Sequence, residues 1–185
     1  MSTKQIEKST IEIQIPDDVK VNLKGSMLQV QGPLGNVYKN FKKIPVLIEI
    51  NDNKILLKKT GERKKHLAIL NTSKSLIKTL CAGVVDGFTI KMKIVYSHFP
   101  ITVKVEGKNV LIENFQGERA PRISPIKGVT KVTVKGDDVI LTGPVLTDVS
   151  QTAANIQLKS KVKNKDHRVF LDGIYKFSKS KGIEK

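Results

Sequence analysis

The sequence predicts an α+β protein made of two tandem duplicated domains, near 1–86 and 87–185, each a small mainly antiparallel sheet packed against a helix, with a basic C-terminal tail. Three observations predict it. Short runs of alternating apolar residues are separated by turn residues, as half-buried strands require. Two stretches change to a helical period. The strand pattern of the first half then recurs in the second at an almost constant spacing.

Ile11, Ile13 and Ile15 alternate with Glu12 and Gln14, and Pro16-Asp17-Asp18 turns the chain. Val19, Val21 and Leu23 make the next strand, which a turn at Gly25-Ser26 folds back onto Leu28 and Val30. After Gly32-Pro33-Leu34-Gly35 comes the apolar run Val46-Leu47-Ile48, a turn at Asn51-Asp52-Asn53, and a strand through Ile55-Leu56-Leu57. From Glu62 to Val85, Leu67, Leu70, Ile77, Cys81 and Val84 fall at helical spacings, with Leu76 and Leu80 widening the stripe. A long helix is expected there to cover the sheet, with Gly83 and Gly87 bracketing its end.

Phe88, Ile90, Met92, Ile94 and Tyr96 alternate strictly, so one extended strand is expected to leave this helix and feed the second sheet. No Gly/Ser/Pro-rich spacer intervenes, which predicts a fixed or semi-rigid angle between the halves. Residues 101–107 lie on residues 19–25 without a gap at an offset of 82, and the pairs Leu28/Val110, Val30/Ile112 and Gly35/Gly117 keep it. At an offset of 84, Ile48/Val132, Ile50/Val134, Ile55/Val139 and Leu57/Leu141 align. A second, shorter helix with a small-residue face (Val149, Ala153, Ala154, Ile156) follows, and the core is expected to end near it.

Thirty-three Lys+Arg against 17 Asp+Glu give a net charge of +16 and a pI near 9.9. Such an excess repels itself until a polyanion neutralises it, and nucleic acid is the leading partner. Binding to an anionic membrane surface calls for a basic amphipathic helix carrying Trp or Phe, and the chain has no Trp. The single cysteine, Cys81, excludes an intramolecular disulfide and a Cys-rich metal knuckle, and fits a reducing compartment. The start of the chain, MSTKQIEKST, lacks an apolar signal region, and no apolar run is long enough to span a bilayer. A soluble cytoplasmic protein is expected.

Several motifs invite functional readings. Gly32-Pro33-Leu34-Gly35 has the G-x-x-G form that clamps nucleic-acid backbones, but it follows strand residues rather than joining two helices, so a hairpin turn is the expectation; Lys39, Lys42 and Lys43 follow it. Lys58, Lys59, Arg63, Lys64 and Lys65 cluster at the expected start of the first helix, and Lys74 and Lys78 extend the charge along it. They form either a solvated face or a site where the helix N-terminus helps to hold an anion. Arg119 and Arg122 lie in the stretch Gln116 to Pro125, read as a loop, and are two of only four arginines. Arginine forks to phosphate or stacks on bases where lysine does not.

His66, His98 and His167 lie far apart with no second ligand at metal spacing, and neither a nucleophile elbow nor a Walker loop is present. Cys81, on the apolar stripe, reads as a core residue. The tail speaks most directly: from Lys159 to Lys185 nine Lys/Arg face three acids. Lys161, Lys163 and Lys165 alternate; Arg168, Lys176, Lys179 and Lys181 follow, with Phe170, Tyr175 and Phe177 interleaved. These aromatics either pack the tail onto its own domain or stack on exposed bases.

The motifs Val95-Tyr-Ser-His-Phe-Pro-Ile101, Asn114-Phe-Gln-Gly-Glu-Arg119, Ser150-Gln-Thr-Ala-Ala-Asn-Ile156, Val162-Lys-Asn-Lys-Asp166 and Phe170-Leu-Asp-Gly-Ile-Tyr175 together resemble a large-ribosomal-subunit family, called L6 in bacteria and L9 in eukaryotes, in its archaeal form. The resemblance spans nearly the whole chain and rests on several motifs in the right order. It implies two tandem α+β copies, no cofactor, and binding to large-subunit ribosomal RNA near the base of the lateral stalk. Neighbouring ribosomal proteins, and the sarcin–ricin region where translational GTPases dock, would lie alongside. By the same resemblance Lys161, Lys163, Lys165, Arg168, Tyr175, Lys176, Lys179 and Lys181 face RNA. Leu34 stands where the family often has Lys or Arg, which takes RNA contact away from that turn.

Three readings compete: a structural ribosomal protein, a free-standing RNA-binding regulator or assembly factor, and an enzyme acting on nucleic acid. The family resemblance favours the first. The lack of clustered acids, metal ligands or nucleotide-binding loops in the sequence removes most support from the third.

Overall fold

Glycine turns shape the first sheets. At Gly25, with φ +61°, and at Gly107, with φ +56°, the chain takes a left-handed conformation that costs glycine little. Each closes a hairpin at the same point of its repeat. The computed structural model describes residues 10–51, 53–166 and 168–183; residues 1–9, Asp52, His167, Glu184 and Lys185 lie outside the described residues, and with them the readings made of those positions.

The chain divides into two units, Met1–Asp86 and Gly87–Lys185. In the first, β1 (Thr10–Gln14), β2 (Lys20–Lys24), β3 (Met27–Gly32), β4 (Gly35–Asn40), β5 (Val46–Asn51) and β6 (Lys54–Lys59) precede α1 (Lys64–Val85). They form two antiparallel three-stranded sheets, β2-β3-β4 and β1-β6-β5. Leu28, Val30, Ile55 and Leu57 are fully buried beneath α1, which supplies Leu70, Ile77 and Val84, also fully buried. Each such side chain contributes roughly 1.5–3 kcal/mol. That outweighs the missing N-cap at Arg63, a deficit of about 1 kcal/mol.

The second unit repeats this plan with β7 (Phe88–Val95), β8 (Thr102–Glu106), β9 (Asn109–Glu113), a 3-10 turn (Phe115–Gly117), β10 (Arg122–Pro125), β11 (Lys131–Lys135), β12 (Asp138–Gly143) and α2 (Leu146–Lys159). β13 (Gly173–Lys181) is added at the end. The sheets are β10-β9-β8 and β11-β12-β7-β13. β7 pairs with β12 as β1 pairs with β6, so the strand expected between the copies is the first strand of the second copy, with Ile90 and Met92 fully buried.

Four details differ from the sequence reading. β10 lies where a loop was expected and β4 where no strand was assigned, because Gly, Asn, Lys and Pro dilute their apolar pattern. α1 begins at Lys64 rather than Glu62, and Leu67 is 39% exposed because it precedes Leu70, the first α1 residue to be buried. On α2 the buried face is Val149, Thr152, Ala153 and Ile156; Ala154 is exposed and Thr152 takes its place. Most consequentially, the core does not end near α2. Val162 is buried and Ile174 fully so, and β13 pairs along the whole length of β7, so the later part of the basic tail is a strand of the second sheet.

The G-x-x-G stretch is the two-residue hairpin joining β3 to β4, with Gly32 opposite Gly35. A Cβ at Gly32 would lie 2.9 Å from the Val84 carbonyl oxygen, and the Leu34 amide donates to that same oxygen at 2.9 Å. The turn is thereby docked on the end of α1.

Candidate nucleic-acid interface

Strict alternation along Gly173–Lys181 would set Lys176 on the face opposite Lys179 and Lys181. A bulge undoes that. Lys176 lies opposite Met92 and Ser178 opposite Lys91, so Phe177 is the extra residue. Directly opposed residues share a face. Lys176, Lys179 and Lys181, opposite Met92, Ile90 and Phe88, therefore line one face of the edge strand, and Tyr175, Ser178 and Ser180 the other. On an edge strand a long lysine stem can border the core and still carry its ammonium to water, and all three lysines are exposed. None has an ion-pair partner recorded among the described residues.

The segment between α2 and β13 is stitched down. Buried Ser160 accepts from the Ile174 amide at 3.0 Å through its hydroxyl, which brings Lys161 beside the start of β13. Lys161 and Lys163 flank the buried Val162, and both are exposed. Lys165 holds its ammonium 4.7 Å from the centre of the half-buried Phe170 ring. Arg168 is paired with Asp166, at 2.9 Å, yet remains almost wholly solvated. Phe170 packs on its own domain; Tyr175, 41% exposed, donates its hydroxyl to the Leu171 carbonyl, while Phe177 is 59% exposed.

The two arginines of the stretch before β10 behave differently. Arg119 is exposed. Arg122 forks onto both oxygens of Glu118 (2.8 and 2.5 Å), donates to the Lys159 and Lys161 carbonyls (2.8 and 3.0 Å), and stacks 4.0 Å above the Phe115 ring. Its hydrogen bond, foremost, holds the Glu118 carboxyl below the ordinary glutamate range. Arg122 thus braces the C-terminal end of α2, and its donors are largely spent inside the protein.

In the first unit the basic cluster spans a strand end and a helix start. Lys58 and Lys59 close β6, Arg63 is the residue before α1, and Lys64 opens it. Lys58 is paired with Glu49 at 2.7 Å, Lys59 is half-buried, and Arg63 and Lys64 are exposed. No acid offsets the positive helix end in the first turn.

Three comparisons bear on this arrangement. The sequence model of the family described as Ribosomal protein L6 matches residues 99–173. A protein of Methanosarcina mazei named large ribosomal subunit protein uL6 is 44% identical over 163 residues, 88% of this chain and 93% of its own length. Its namesake in Thermoplasma volcanium is 46% identical over 167 residues, 90% of this chain and 94% of its own.

The chain belongs to the ribosomal protein L6 family.

As an L6 protein it is not an enzyme. Consistently, the Cys81 thiol is pushed above its ordinary range by burial, which suits a core residue. The L6 match runs from the Phe99 loop to Gly173, and near its end lies one acid that sequence reasoning did not single out. Asp172, 7% exposed, accepts from the Ser97 amide at 2.7 Å and from the Gln116 side chain at 3.4 Å. Asn114 (φ 56°) and Gln116 (φ 53°) take left-handed conformations on either side of the buried Phe115, a strain of roughly 1–2 kcal/mol each. Asn114 donates its amide to the Pro100 carbonyl at 3.1 Å. The stretch from Gln116 hinted at a loop, but nothing in it announces that Gln116 has a partner 56 residues away.

Proposed function

We propose that this chain is a structural constituent of the cytoplasmic large ribosomal subunit and binds large-subunit ribosomal RNA mainly through its second unit, near the stalk base and the region where translational GTPases dock. The lysine face of β13 carries this reading. Lys176, Lys179 and Lys181, joined at the strand's start by Lys161 and Lys163, offer exposed cations on a rigid edge. A folded RNA presents phosphates at fixed positions, and pre-placed cations meet them with little ordering cost while releasing counterions. Lys165, Arg168 and Arg119 are further contacts of the second unit in this reading, as is Tyr175 on the other face of β13; Lys58, Lys59, Arg63 and Lys64 of the first unit form a secondary contact, and Arg122 supports rather than touches RNA.

The relatives named large ribosomal subunit protein uL6 support this over a free-standing RNA-binding regulator or assembly factor. Sedimentation separates them. The protein is expected to co-migrate with large subunits after a high-salt wash and to protect stalk-base RNA in chemical footprints. A protein left at the top of the gradient sinks the ribosomal reading, and protection elsewhere sinks the stalk-base placement.

A further inference from the structure

We propose that the loop carrying Tyr96 and Phe99, with Leu171 beside it, is a preformed platform on which unpaired bases of the same RNA stack. This rests on the RNA-binding reading above and adds a second kind of contact to it. Tyr96 is 42%, Phe99 50% and Leu171 57% exposed, and such a grouping of large apolar side chains on a charged protein marks a contact surface.

The platform is held rather than loose. The Ser97 amide on Asp172, together with Asn114 on the Pro100 carbonyl, clamps the loop at both ends. Behind it, Phe99 lies against Gly117, where an added Cβ would sit 3.4 Å from its ring. Both left-handed residues, Asn114 and Gln116, spend their side-chain amides on this clamp, so backbone strain is stored where the exposed rings are positioned. Rings fixed before binding lose little freedom on binding.

Charge selects the occupant. Arg119, two residues past the Gly117 that Phe99 lies against, is exposed, whereas the carboxylates of this stretch and of the tail are engaged: Glu118 with Arg122, Asp166 with Arg168, and Asp172 buried in the clamp. An apolar surface with an exposed arginine close by, on a chain of net charge +16, suits a polyanion that also offers flat faces, which describes unstacked nucleotides better than an apolar protein segment.

The test is a salt titration of the full chain against the large-subunit RNA fragment it protects in footprints. Phe99→Ala and Tyr96→Ala are each expected to weaken binding about 5- to 150-fold at fixed salt, the range that loss of one stacked base produces, while leaving the log–log salt slope unchanged. Phe99→Tyr is expected to bind like wild type. Unchanged affinity in both alanine variants overturns the platform and leaves the basic face standing. Unchanged RNA affinity with loss of the variant from washed subunits also overturns it, in favour of a protein neighbour. Failure of the wild-type chain to bind the fragment refutes the RNA-binding reading itself.

Discussion

At the residue scale, Arg122 shows how chemistry readable in a sequence is redirected by the fold. Its rarity marked it as informative, and it is, but its fork closes on Glu118 and on the Lys159 and Lys161 carbonyls at and just past the end of α2. Arg122→Ala is expected to destabilise the second unit by about 2 kcal/mol at neutral pH, since charge-assisted hydrogen bonds are lost and carbonyls stranded. Arg122→Lys recovers little, having no fork and no planar face for Phe115. A carboxyl with a lowered pKa in the fold contributes stability above its unfolded value and loses it as pH falls through the folded value. The gap between wild type and Arg122→Ala should therefore narrow below the ordinary glutamate range, and melting midpoints at descending pH check it. A pH-independent gap would show that the Glu118 pairing is not its source. Asp172 was not legible at all, because its partners Ser97 and Gln116 lie 75 and 56 residues away and no local pattern points to them.

At the element scale, the strands with clean alternation were legible together with their repeat, since apolar periodicity and glycine turns suffice to define both. Legibility failed where one local event changes the phase. Phe177 adds a single residue to β13 and reassigns every lysine after it. The second helix was half legible: a small-residue face was expected, but helical geometry buries Thr152 and turns Ala154 outward. Ala153 is 2% exposed, so Ala153→Leu is expected to overpack the sheet by roughly 1–3 kcal/mol, whereas Ala154→Leu should shift the melting midpoint little. Equal effects from the two would mean that the helix is rotated from the face described.

At the scale of the whole molecule, the net charge of +16 makes affinity salt-dependent, and the question is which cations set the slope. Replacing Lys176, Lys179 and Lys181 with Gln is expected to flatten the log–log slope by roughly 2 to 3, at about 0.7–0.9 per phosphate. Replacing Lys58, Lys59, Arg63 and Lys64 should flatten it less, since Lys58 already has Glu49 and Lys59 is half-buried. Salt titrations of both variants decide this, and a larger loss from the first-unit set would reverse the order. Point substitutions are needed because truncation after Ser160 would remove a strand of the core along with the charge. The same strand governs the order in which the protein is completed during synthesis. β7 is translated before β12 and long before β13, yet it needs both as neighbours, and Thr89 waits for the Gly182 carbonyl 93 residues downstream. Until then one edge of β7 stands open, with unpaired backbone groups beside Ile90, Met92 and Ile94, an invitation to wrong pairing. Nascent chains stalled before Gly173 should be cut by protease within the second unit while the first resists, and protection should arrive in one step once Gly182 has been added.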